Sequence, residues 1–289
     1  MSSPSEPVTD DLLRNWGLPD PGESKKARGD VVIVGGSRSS PGGALLAGEA
    51  ALRVGAGRVG LAVPRSIDAH VGIALPEAGI FALPDDAEDP LDDRLAARIG
   101  KADAVLVGPG FDDPDETRAT LVAVAAARPA CVVLDAYGLG VLPDVDRAAL
   151  PDTLLLSPNK DEAAILLGRP LGADDVGDVT EIAVRFRAVV SCYGVVADPD
   201  GRAWRSSDGG GGLGTSGSGD VLAGAIAGFA ARGAPAHRAA VWGAWAHGRA
   251  GDRLTERTGV GFLARDLAAE LTLTVHELLR GSAGSASPR

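Results

Sequence analysis

The chain has 289 residues, 45% hydrophobic, 23% charged and 4% aromatic, an ordinary globular balance that excludes a disordered chain. Its 40 glycines and 19 prolines follow no three-residue period, which excludes collagen. Lys and Arg number 28 against 39 Asp and Glu, and the net charge of −11 makes nucleic acid and anionic membranes poor partners.

Taken in chain order, Met1 to Asp10 is polar and acidic with no apolar run, so residues 1–10 are expected to form a tail and no secretory signal is visible. Residues 11–280 are expected to form a single α/β domain, with no long linker and no internal repeat. Residues 281–289, rich in Gly, Ser and Ala, are expected to form a second tail. Two distant thiols, Cys131 and Cys192, make neither a disulfide framework nor a zinc site and fit a reducing cytoplasm. Apolar runs such as Val221 to Ala231 fall well short of the roughly 18–20 residues that cross a bilayer.

Within the body, short β-branched runs alternate with helical stretches. Val31 to Val34 reads as a buried strand stopped by Gly35-Gly36, and Ala44 to Val54 as a helix of small residues. Arg58 to Val63 is the next strand. Ala104 to Val107 stops at Gly108-Pro109-Gly110, and Thr117 to Ala127 is helical. Cys131 to Leu134 stops at Asp135. Thr153 to Leu156 stops at Ser157-Pro158-Asn159, before a helix from Asp161 to Leu167. This rhythm predicts a mostly parallel central sheet with helices on both faces. Val189 to Ala197 and Ala203 to Arg205 flank the turn signal Asp198-Pro199-Asp200-Gly201 and predict one added hairpin. A glycine-rich loop, Gly209 to Gly219, precedes helices at Val221–Arg232, His237–Leu254 and Phe262–Leu279. In such sheets ligands sit beyond the carboxyl ends of the strands, so the punctuated loops are expected to converge on one cleft.

Gly55-Ala-Gly57-Arg-Val-Gly60 matches G-x-G-x-x-G, but it follows a helix and opens a strand, the reverse of a dinucleotide fingerprint. No P-loop string is present. The strongest signal is Gly214-Thr-Ser-Gly217-Ser-Gly219-Asp220-Val-Leu-Ala-Gly224, a glycine-rich turn running into a small-residue helix. Its free amides and dipole suit a phosphate, and Asp220 can take a proton from a hydroxyl. The competing reading is a plain N-cap Asp. His247 reads as a packed helix residue and Cys131 as inert. His70, His237 and His276 have no partner at metal spacing, and Lys25 and Lys26 read as solvated charge.

This string resembles the anion hole of the ribokinase-like superfamily. Gly29 to Ser37, Gly43-Ala44-Leu-Leu-Ala, Val107 to Gly110, Leu134-Asp-Ala136 and His247-Gly-Arg-Ala-Gly251-Asp252 extend the likeness, in order, to the ADP-dependent NAD(P)H-hydrate dehydratases. The resemblance implies a three-layer ribokinase-like fold and repair of hydrated NADH or NADPH. The added hydroxyl would be phosphorylated from ADP or ATP, with Mg2+, and phosphate then eliminated. It implies Asp220 as base, Gly217 and Gly219 as the catalytic anion hole, and Gly217, Ser218, Gly219 and Cys192 beside the donor. Ala44, Gly108, Gly110, Asn159 and Asp220 would meet the dinucleotide, and Asn159 with Glu162 would meet magnesium. It also implies a homo-oligomer, a tetramer being one form. Three positions depart from the family pattern. Tyr137 stands for a carboxylate, Asn159-Lys-Asp-Glu162 resembles the magnesium string of sugar and vitamin kinases, and Val189 to Tyr193 lacks the lysine used near ADP. Lys160 and Lys26 are the first substitutes to consider. The departures keep two alternatives open: a kinase of a small hydroxylated metabolite, and a nucleotide-binding homologue without turnover.

Overall fold

The computed structural model describes residues 3–281. The chain runs β1 (Glu6–Pro7), α1 (Asp10–Trp16), β2 (Asp30–Val34), α2 (Gly42–Arg53), β3 (Arg58–Pro64), α3 (Asp68–Ala74) and β4 (Gly79–Leu83). It continues with α4 (Asp93–Ile99), β5 (Ala104–Val107), α5 (Pro114–Ala126), β6 (Cys131–Leu134), α6 (Tyr137–Gly140), β7 (Thr153–Leu156), α7 (Lys160–Leu167) and α8 (Asp175–Phe186). It closes with β8 (Val189–Cys192), β9 (Val195–Ala197), β10 (Ala203–Arg205), α9 (Ser218–Ala231), α10 (Ala236–Thr258) and α11 (Ala264–Arg280).

One sheet takes these strands in the order β1-β10-β9-β8-β7-β6-β5-β2-β3-β4. Neighbours are parallel except β8 with β9 and β9 with β10. Alternate residues of the inner strands feed two cores, because both faces are covered. Val31, Ile33, Leu106, Val133 and Leu155 pack under α2, α9, α10 and α11. Val32, Val34, Val105, Leu134 and Leu156 pack under α4, α5, α7 and α8. The three-layer α/β architecture is the one expected.

Three expectations change. Residues 3–10 are not a tail: Glu6 and Pro7 pair with Trp204 and Arg205, and Trp204 Nε1 donates to Glu6 at 3.0 Å. The Ser3 amide and hydroxyl donate to Asp174. The stretch Val189–Ala197 is two strands rather than one. Tyr193 and Gly194, both at positive φ (+47° and +78°), form a two-residue turn, so β8, β9 and β10 make a meander. Finally, α9 begins at Ser218, three residues before the expected Val221. The second tail lies, but for Gly281, outside the described residues.

The Gly55–Gly60 string is a helix-stop turn, as read: Gly55 closes α2 at φ +103° and Arg58 opens β3. Lys25 and Lys26 are exposed and precede β2, at the end of the sheet opposite the carboxyl ends of its strands.

Candidate active site

The carboxyl ends of β2, β5, β6 and β7 bring the punctuated loops together, as expected. The Gly36 amide donates to the Pro109 carbonyl at 2.7 Å, joining the loops after β2 and β5. The Gly108 amide donates to Val34, the Asp135 amide to Val107, and the Ser157 amide to Leu134. Each loop therefore hangs on its neighbour strand, and the rim is one continuous surface.

The amino end of α9 faces this rim. Its cap is Gly217, at φ +88°, and no side chain caps the helix. The left-handed conformation favours glycine, and a Cβ there would lie 2.4 Å from Leu46 Cδ1. Gly219, one residue into the helix, is the opposite case: a Cβ would meet nothing within 4 Å, and its φ is not positive. In the first turn of α9 the Ser218 amide donates to the Thr215 carbonyl at 3.2 Å, while the space beside Gly219 is open, and a helix end of this kind suits an anion. Asp220 is the third helical residue, not the cap, so the capping explanation for its presence fails.

His247, on α10, fixes this turn from below. Its Nε2 lies 2.9 Å from both the carbonyl and the hydroxyl of Ser218. A carbonyl can only accept, so Nε2–H donates to it. Burial pushes the imidazole down to about 4, and it is neutral at physiological pH. The sequence reading of a packed histidine holds, but what it packs is the glycine turn at the start of α9.

Around Asp220 the rim is acidic. Burial, then the Glu162 charge, raises Asp220 to about 6. Asp135, 5% exposed at the end of β6, is raised well above the carboxylate range by burial, Asp220 and Glu162. Burial also raises Glu162. Asp135 joins the site through strand register, and a strand stopping at Asp was the visible signal for it. In the same register row on β7 and β8 stand Ser157 and Ser191, both buried, whose hydroxyls have no partner among the described residues.

The other sequence candidates divide. Gly108 and Gly110 are on the rim, but backbone explains their lack of a side chain. A Cβ at Gly108 would lie 1.8 Å from the Asp135 carbonyl, and one at Gly110 would lie 2.4 Å from the Ser40 carbonyl. Ala44 is 0% exposed inside the core, so its methyl touches protein. Gly224 likewise faces α2, where a Cβ would lie 2.2 Å from the Ala47 carbonyl. The Cys192 side chain points into the second core, and burial lifts its thiol to about 12, so the thiol itself does not face the rim.

Asn159 and Glu162 form a reciprocal capping box on α7. Asn159 Oδ1 accepts from the Asp161 and Glu162 amides at 2.9 Å, and Glu162 Oε2 accepts from the Asn159 amide at 2.9 Å. No group of three or more His, Cys, Asp or Glu among the described residues could hold a metal ion.

A three-layer sheet with an uncapped glycine turn at the carboxyl rim defines a ribokinase-like protein. A ribokinase from Arabidopsis thaliana, complexed with ribose and ATP, superimposes with a TM-score of 0.58 at 14% identity, over 87% of this chain and 99% of its own. The NAD(P)H-hydrate dehydratase family model matches residues 31–273, and the chain belongs to that family. It is 42% identical over 285 residues to the ADP-dependent (S)-NAD(P)H-hydrate dehydratase of Xanthomonas campestris pv. campestris, covering 95% of this chain and 97% of that one. The ADP/ATP-dependent NAD(P)H-hydrate dehydratase of Bacillus subtilis, co-crystallized with ATP/Mg2+, matches with a TM-score of 0.82 at 26% identity, over 95% and 99% of the two chains.

Proposed function

We propose that this chain dehydrates hydrated NADH or NADPH, using ADP or ATP as phosphoryl donor. The carrying observation is the open amino end of α9, with Asp220 in its first turn, in a chain of this family. The substrate hydroxyl attacks the terminal phosphorus of the donor, the bond to the departing nucleotide breaks, and Asp220 takes the hydroxyl proton. A base poised near neutrality suits that transfer, and Asp220 at about 6 meets it. The amides around Gly217 to Gly219 hold the charge that develops on phosphorus, in a geometry fixed by His247. The ring carbon–oxygen bond of the phosphate ester then breaks, inorganic phosphate leaves, the adjacent ring carbon gives up a proton, and the double bond of the nicotinamide returns. ADP would yield AMP and phosphate.

Magnesium fits as a companion of the donor rather than as a resident ion. It is commonly held by donor phosphates with one or two carboxylates, and the chain offers no three-ligand cage among the described residues. Asp220 and Glu162 are the carboxylates at hand, and the ion would offset donor charge. Asn159 is spent on its cap, so the string that favoured a metabolite kinase has a structural explanation. The two cysteines support a reducing cytoplasm, and among the described residues no helix is long and apolar enough to cross a membrane. The resemblance supports a homo-oligomer; sedimentation tests whether it is a tetramer.

Incubation with hydrated NADH and ADP, and separately with ATP, should restore nicotinamide absorbance as AMP or ADP appears. No recovery, with ATP consumed only when another alcohol is added, would move the assignment to a kinase. Binding without turnover in either assay would leave a nucleotide-binding homologue.

A further inference from the structure

The chain has only two tyrosines, and both stand in water at the carboxyl rim. Tyr137 follows β6 by two residues and Tyr193 follows β8 directly; they are 41% and 65% exposed. Each adjoins or occupies a non-glycine position at positive φ, Ala136 (+48°) and Tyr193 itself (+47°). Such backbone is unfavourable for a bulky residue and often marks a functional site. A two-residue turn would accept Asn or Gly at position 193 far more readily than tyrosine.

What the tyrosine does is visible beside it. Lys160 opens α7 on the neighbouring strand end, and its Nζ lies 4.7 Å from the centre of the Tyr193 ring. Lys160 is exposed and has no ion pair among the described residues, whereas many arginines of the chain do. The ring face therefore holds a free ammonium in place by cation–π attraction. That place is the end of β8. Burial raises the Cys192 thiol, and the Lys160 charge is what opposes the rise. Asp161, Glu162 and Asp220 line the same rim with carboxyl groups, on a chain already at −11. A polyphosphate approaching this rim needs a local cation, and a compact ammonium suits a phosphate oxygen.

We propose that Lys160, laid across Tyr193, is the cation that receives the phosphate chain of the phosphoryl donor, in place of a lysine on β8. Tyr193 is a positioning residue. The capping box binds the α7 amides to the protein's own side chains, so the anion is met by the first side chain of that helix rather than by its end. This inference rests on the proposed donor chemistry, but its test does not need turnover.

Titrate ADP into the full chain by calorimetry with magnesium present, for wild type, K160A, K160R, Y193A and Y193F. Removing a charge-assisted contact should weaken ADP binding about 10-fold in K160A, with K160R recovering part and Y193F nearly all of it. Y193A should lose about 3-fold, since the ammonium remains but is no longer held. The wild-type affinity should fall with added salt, and K160A should flatten that dependence. In the hydrate assay K160A should raise KM for ADP and leave kcat within about 2-fold. K26A, on the opposite end of the sheet, controls for bulk charge. ADP affinity in K160A within 2-fold of wild type, or a loss of kcat at unchanged KM, would overturn the proposal. Absence of wild-type turnover with ADP bound through Lys160 would instead count against the dehydratase reading alone.

Discussion

Two helix ends on the same rim look alike in sequence and differ in what they leave free. α7 starts with Asn159 and Glu162, and both side chains fold back on its first amides. α9 starts with Gly217-Ser218-Gly219, and no side chain reaches its amides. A helix end carries a partial positive charge and orphan amides whichever residues begin it. A capping box satisfies them from within and gives stability. Glycine offers no side chain to cap them: the Ser218 amide is met by the Thr215 carbonyl, and the turn beside Gly219 stays open to something from outside. A polar motif at a strand–helix junction is therefore read for chemistry only after asking where its side chains go.

The strongest way to break this contrast is Asp220→Asn. The amide keeps the shape in the first turn of α9 but cannot accept the hydroxyl proton, so kcat should fall about 10²–10⁴-fold with the fold intact. The pH profile carries the same information. Burial and Glu162 raise Asp220 to about 6, so its carboxylate is lost as pH falls through that value. Wild-type kcat/KM should drop on the acid side near there, and the Asn variant should lack that limb.

Gly219→Val comes next. Its Cβ enters empty space, so thermal stability should stay close to wild type while turnover falls about 10²–10³-fold, the loss typical of one blocked oxyanion donor. Gly217→Val is the paired control. Positive φ and the 2.4 Å approach to Leu46 should make it unstable as well as inactive, which thermal melts will separate.

His247→Leu should act through position alone. It removes the second donor to the Ser218 carbonyl and the partner of its hydroxyl in a buried place, a loss of about 1 kcal/mol in urea unfolding. The kcat should fall about 10-fold through a looser turn, with KM for the hydrate little changed. Because the imidazole is already neutral, its removal should leave the acid limb at about 6 where it was.

The inner strands were readable because a strand covered on both faces must be an apolar run between breakers. β5, β6 and β7 match the reading residue for residue. The edge strand β4 was missed, since Gly79 to Leu83 is only partly buried and its pattern is weak. Two-residue β1 carries no pattern at all; its pairing with β10 is a tertiary fact. At the candidate site, the Gly217 to Asp220 turn at the start of α9 was legible as a local string. The placement of Asp135 beside Asp220, and of His247 under Ser218, depends on register and on helix packing across many residues. Ala44 failed for the same reason: position in a resembling string says nothing of which way a helix face turns, and the Ala44 face turns inward.

The smallest effect on activity is expected at the capped end. Asn159→Ala removes the acceptor for two amides of α7 and should cost about 1 kcal/mol in urea unfolding. Glu162→Gln keeps a carbonyl for the Asn159 amide, so the box should survive with a smaller loss. It also removes a negative charge that helps raise Asp220, so the acid limb of kcat/KM should move below about 6 while kcat at neutral pH stays within about 2-fold. If the capping reading is right, Asn159→Ala should be felt in stability and hardly in turnover. A large loss of turnover in Asn159→Ala, with the urea midpoint unchanged, would mean that this end also serves a ligand, and the contrast between the two helices would collapse.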